Sequence, residues 1–120
     1  MTFRGQIREK PEDESQCRQF IREYSDSPDP TCTVSGVLVT DLASGSRNGC
    51  VDIAKIYFKE ISREVEDAVI ADGEVLWCAG GLQAEHPAVT PCIARQEGSM
   101  DSVMGLPKDV LMQLIQKSLN

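Results

Sequence analysis

The 120-residue sequence predicts an α/β fold, with a mixed sheet flanked by helices. Two neighbouring segments rich in β-branched residues predict a strand hairpin over 31–42 and 50–61. Amphipathic patterns of helical period stand before and after them. With 41% hydrophobic residues, a chain of this length can bury one core, so residues 1–120 are expected to form a single domain. The predicted helices lie near 11–24, 62–72 and 107–119.

The first predicted helix opens at Pro11, because proline suits the first turn of a helix. The acids at 12–14 then face the positive end of the helix dipole. Apolar residues follow at helical spacing and predict one stripe that packs against the sheet, made of Cys17, Phe20, Ile21 and Tyr24.

The segment 31–42 has few polar positions, which predicts a central strand covered on both faces. A Gly- and Ser-rich turn over 43–49 leads to the partner strand over 50–61. Together they predict a long hairpin.

The second half begins with Ser62, a residue type that caps helices, and its helix ends at Gly73. The apolar run 75–81 finishes in paired glycines, which indicates that backbone approaches another group closely there. A short strand is expected around Ile93. The last helix begins at Pro107 and should bury one face, formed by Val110, Leu111, Leu114, Ile115 and Leu119.

The net charge of −7 disfavours binding to nucleic acid, because an acidic surface repels a phosphate backbone. A single nucleotide remains compatible, since local cations, backbone N–H groups and a metal can hold phosphates. Five cysteines at irregular spacing predict reduced thiols and a cytoplasmic protein. The sequence shows neither a leader-like apolar stretch nor a membrane-spanning one, so no membrane association is expected.

Two positions are candidates for ligand binding. Lys10 stands directly before a predicted helix start, where an ammonium group and free N–H donors suit phosphate oxygens; the alternative is a solvated charge cluster. Glu85 follows the paired glycines and could accept hydrogen bonds from a base; the alternative is an ordinary loop acid. For His86 we favour loop packing over catalysis, because no matching nucleophile and acid accompany it.

Four ordered elements carry a resemblance to a known family: Glu9–Pro11, Ser35–Val37, Ala79–Glu85 and Val103–Pro107. In this order the sequence resembles the Maf family of nucleoside-triphosphate pyrophosphatases, and it is especially similar to the plant-like members. The resemblance covers essentially the whole chain. It implies the C-terminal part of a Maf/inosine-triphosphatase-like fold.

The resemblance further implies hydrolysis of a nucleoside triphosphate between the α and β phosphates, with a divalent metal such as Mg²⁺. Lys10 would contact the phosphates and Glu85 the base, so we expect both side chains to face one cavity. Glutamate at this position is associated with 7-methyl-GTP and other modified nucleotides. A homodimer is left open.

The sequence also departs from the family pattern. The Arg-rich phosphate-binding segment is absent, and the catalytic Asp of the family would lie upstream of Met1, so no catalytic or metal-binding residue is assigned. Glu9 replaces a common glycine and Cys78 a common lysine. The alternative function is therefore an inactive module that binds a nucleotide or a partner chain.

We expect residues 1–120 alone not to turn over nucleotide, because a triphosphate needs a water activator and more positive charge than these residues carry. Pyrophosphate release from nucleoside triphosphates in the presence of Mg²⁺ measures this. Release that grows linearly with time would contradict the prediction.

Overall fold

A computed structural model describes residues 1–119. Its described part contains a five-stranded sheet whose strands lie in the order β2-β1-β3-β4-β5. The α/β class predicted from the sequence is confirmed. The strands are β1 (Thr2–Phe3), β2 (Gln6–Ile7), β3 (Thr31–Thr40), β4 (Arg47–Phe58) and β5 (Ile93–Glu97), and the α-helices are α1 (Glu14–Tyr24), α2 (Arg63–Asp72), α3 (Met100–Val103) and α4 (Lys108–Leu119).

All strand pairings in the described residues are antiparallel, so the expected mixed sheet is corrected. The β3–β4 hairpin dominates the sheet and pairs Thr31 with Ile56 at one end and Thr40 with Arg47 at the other. Short turns join β1 to β2 and β3 to β4, and such turns reverse the strand direction. The hairpin prediction is confirmed, although β4 begins and ends three residues earlier than the expected 50–61.

Helix α1 begins after Pro11 rather than at it. Asp13 is the N-cap, and its side chain accepts a hydrogen bond from the Gln16 N–H. This bond satisfies one of the free donors of the first turn, which fixes the helix start at Glu14. The predicted stripe is confirmed, with Cys17, Ile21 and Tyr24 buried and Phe20 partly buried.

The remaining helices follow the prediction with one correction. Ser62 caps α2, and Gly73 ends it in the left-handed conformation with φ 77°. On α4, Leu114 is buried and Asn48 of β4 donates to Ser118, but Leu119 is 81% exposed and does not belong to the buried face. The short helix α3 and the β1–β2 hairpin were not predicted. No helix described for residues 1–119 is both long and apolar enough to cross a bilayer.

The core lies between one face of the sheet and the helices. Three aromatic rings form its centre: Phe3 packs edge-on against Tyr24 at 5.0 Å, and Tyr24 stacks on Phe58 at 6.4 Å. Cys17 and Val75 are fully buried beside them. Aromatic pairs at these distances add to the stability that burial of their surface provides.

The opposite face of the β3–β4 hairpin is bare. Side chains alternate along a strand, so Val34 and Leu38 of β3 share this face with Val51 and Ile53 of β4. All four are about half exposed or more. Strand β3 is central, as expected, but the prediction that it is covered on both faces is wrong, because the described helices pack on the other face only.

Burial raises the pKa of the Cys17 thiol to about 11, because the buried site disfavours a thiolate. The folded protein therefore keeps this proton at pH values where the unfolded chain, with a thiol pKa near 9, has lost it. The neutral thiol contributes fully to the free energy of unfolding below about pH 9, and this contribution falls as the pH rises towards 11.

We expect the free energy of unfolding to fall less between about pH 8 and about pH 10 in Cys17→Ala than in the wild type. Urea unfolding under reducing conditions measures it. Cys50→Ala is the control, since Cys50 is exposed and its removal should leave the wild-type slope. Equal slopes for Cys17→Ala and the wild type would contradict the assignment.

Candidate functional site

A cavity of about 360 Å³ opens between the sheet and the loops that follow α2 and α3. Thr33 of β3 forms part of its floor, and Cys78 and Glu85 come from the loop that contains the paired glycines. Met104 and Gly105, between α3 and α4, complete the wall. The volume is that of a small ligand pocket.

The paired glycines hold this loop against the core, as the sequence predicted. Gly80 and Gly81 adopt φ values of 70° and 60°, a left-handed region that favours glycine. The Tyr24 hydroxyl donates to the Gly80 carbonyl at 2.7 Å, and the Gly80 N–H donates to the Glu9 carbonyl at 2.8 Å. A side chain at Gly81 would meet the Cys17 sulfur at 3.0 Å. The two hydrogen bonds therefore tie the loop to both α1 and the segment before it.

Lys10 lies in a neighbouring groove rather than in this cavity. Its Nζ is 5.9 Å from the centre of the Trp77 ring, and Glu12 and Asp13 line the same groove of about 320 Å³. Glu85 lines the cavity, so the expectation of one cavity shared by Lys10 and Glu85 is corrected. Cys78 of the cavity directly follows Trp77 of the groove in the chain, and both Glu85 and Lys10 influence the pKa of its thiol.

Cys78 lies within electrostatic reach of both candidate residues. Burial raises the pKa of its thiol, the Glu85 and Glu74 carboxylates raise that pKa further, and Lys10 lowers it. Its Sγ donates to the Glu74 carbonyl at 3.5 Å. The thiol is therefore neutral near pH 7. From the sequence, the only signal for Cys78 was that it departs from the family's lysine.

His86 packs within its loop. Its Nδ1 accepts a hydrogen bond from the Ala88 N–H at 3.0 Å, and its Nε2 is hydrogen-bonded to the Asp72 carboxylate. Both ring nitrogens are thus engaged in joining the loop to the end of α2. The expected loop packing of His86 is confirmed, and its lack of a catalytic role stays a prediction.

Within residues 1–119, no three carboxylate, thiol or imidazole groups lie close enough together to hold a metal ion. The divalent metal that the resemblance implies stays a prediction.

The sequence profile of the family described as Maf-like protein matches residues 1–118, and the chain belongs to this family. The resemblance noted from the four sequence elements is thereby confirmed.

The names of similar curated proteins describe related activities. The chain is 39% identical over 113 residues to the 7-methyl-GTP pyrophosphatase of Dictyostelium discoideum, covering 94% of this chain and 55% of that protein. It is 27% identical over 118 residues to the nucleoside triphosphate pyrophosphatase of Parasynechococcus marenigrum, covering 98% and 59%. The dTTP/UTP pyrophosphatase of Treponema denticola is 26% identical over 109 residues, covering 91% and 52%. The chain thus spans little more than half the length of these relatives.

Gly81→Ala should destabilise the protein by more than Gly5→Ala, and urea unfolding of both variants measures the difference. Both glycines have positive φ, which costs an alanine about 1–2 kcal/mol. Only at Gly81 would the added methyl group also crowd the Cys17 sulfur, whereas Gly5 has nothing within 4 Å. Equal losses would show that the close approach at Gly81 is unimportant.

Proposed function

We propose that this chain forms the base-binding cavity and a phosphate-binding groove of a nucleoside-triphosphate pyrophosphatase that acts on modified nucleotides of the 7-methyl-GTP kind. The observation that carries this proposal is the position of Glu85 in the cavity. The 39% identity to a 7-methyl-GTP pyrophosphatase supports the same substrate class.

Glu85 supplies the base contact. Its carboxylate borders the cavity and forms no ion pair with another of the described residues 1–119. A carboxylate accepts hydrogen bonds only, so it matches a base edge that presents N–H donors. Guanine presents such donors at N1 and at its exocyclic N2. The apolar side chains of Leu82 and Val103 line the same cavity and suit the faces of a flat ring.

Lys10 supplies the phosphate contact. Its ammonium group is exposed at the groove beside the cavity, and a lysine binds phosphate as a compact point charge. With the base in the cavity, the phosphates extend past Cys78 towards this groove. Glu12 and Asp13 border the groove as well, so a cation that accompanies the phosphates would reduce their repulsion.

The reaction would cleave the bond between the α and β phosphates and release a nucleoside monophosphate and pyrophosphate. A divalent metal would supply charge neutralisation and an activated water. We assign no hydrolytic step to a residue of this chain. The alternative of a catalytically inactive module gains no support from the relatives, whose names all describe pyrophosphatases.

Thermal unfolding of the chain with 7-methyl-GMP and with 7-methyl-GTP plus Mg²⁺ tests the proposal, because a ligand that binds the native state raises the melting temperature. Glu85→Gln should reduce the shift with both ligands, since an amide replaces one acceptor with a donor. Lys10→Met should reduce the shift mainly with the triphosphate.

Glu60→Gln and Lys117→Met are the matched controls, because both side chains are exposed and neither lines the cavity or the Lys10 groove. They should keep the wild-type shifts. If the wild type shows no shift with either nucleotide, or if the control variants lose as much as the site variants, the proposed site is wrong.

A further inference from the structure

The lining of the cavity contains few charged groups. Among the described residues that line it, Glu85 has the only charged side chain. The other members are apolar or neutral: Met1, Thr33, Cys78, Ala79, Leu82, Ala84, Val103, Met104 and Gly105. This exposed carboxylate therefore has no basic side chain beside it in the described lining.

The number of charged side chains in the cavity depends on the residue at position 78. Cys78 lines the same cavity as Glu85, at the position where the resemblance expects a lysine. A lysine side chain there would bring an ammonium group into the cavity and pair with the carboxylate. The thiol brings no charge, because burial and the nearby Glu85 carboxylate raise its pKa. Lys10 lowers the pKa of the Cys78 thiol from the adjacent groove, where its Nζ lies over Trp77, but it does not line the cavity.

We propose that Cys78 is a specificity-determining residue, whose uncharged side chain leaves Glu85 without a basic side-chain partner and so selects a base that itself carries positive charge. Methylation of guanine at N7 places a positive charge on the ring, whereas guanine is neutral. The cavity therefore discriminates between these two bases by charge as well as by hydrogen bonding. This inference rests on the proposed function, because it concerns the same base-binding cavity.

The test compares dissociation constants for 7-methyl-GMP and GMP, measured by calorimetry on the 120-residue chain. The wild type should favour 7-methyl-GMP by roughly tenfold, the scale of one charge interaction near a protein surface. Cys78→Lys should bring this ratio close to one, because its ammonium group neutralises Glu85 and repels the charged ring. Cys78→Ser should keep the wild-type ratio, since the hydroxyl is neutral and similar in size.

Two further variants exclude indirect effects. Cys50→Lys adds the same charge at an exposed thiol outside the cavity and should keep the wild-type ratio. In a Glu85→Gln background, Cys78→Lys should change the ratio less than in the wild type, because the carboxylate with which it pairs is gone. Thermal unfolding of every variant identifies any that fails to fold, and Cys78→Arg then replaces Cys78→Lys.

The outcomes separate this inference from the proposed function. If the wild type binds both nucleotides and Cys78→Lys leaves their ratio unchanged, the role of Cys78 is overturned while the cavity remains the base site. An equal change in Cys50→Lys would also overturn it, because the added charge would then act from a distance. If the wild type binds neither nucleotide, the proposed function fails and the inference fails with it.

Discussion

The site depends on the hydrogen bond from the Tyr24 hydroxyl to the Gly80 carbonyl. This bond connects the loop with the paired glycines to helix α1 and, through the Tyr24 ring, to the sheet. Tyr24 ends helix α1 and lies between Phe3 and Phe58 of the sheet, so its ring is fixed by the core. Burial raises the pKa of its hydroxyl to about 12, which keeps the donor protonated. The loop with the paired glycines is therefore held by the centre of the core.

Sequence patterns predicted the fold where local signals decide the structure. The capping residue Ser62, the left-handed Gly73 and the stripe on α1 depend on neighbours a few positions away, and they were confirmed. The bare face of β3 was not foreseen, because Val34 and Leu38 look the same in a sequence whether or not another element covers them. Helix α1 begins at Glu14 and not at Pro11, because the Asp13 side chain accepts a hydrogen bond from a backbone N–H of the first turn.

The sequence pointed to the loop with the paired glycines but not to the arrangement of the residues around it. The paired glycines indicated close approach of backbone, and the structure confirms it through Tyr24 and Cys17. That Lys10 and Glu85 border different openings depends on Trp77, whose exposed ring takes up the space beside the lysine. Such long-range placement has no signature in a local pattern. The roles of Lys10 and Glu85 in binding remain proposals.

The position of Trp77 has a practical consequence for spectroscopy. It is the single tryptophan of the chain, and its side chain is 75% exposed beside Lys10 while the core is built from Phe and Tyr. Its fluorescence emission should already resemble that of a solvated indole in the native state, so unfolding will change the wavelength of that emission little. Events in the lysine groove will quench or enhance it directly, and the loss of folded structure is better followed by circular dichroism.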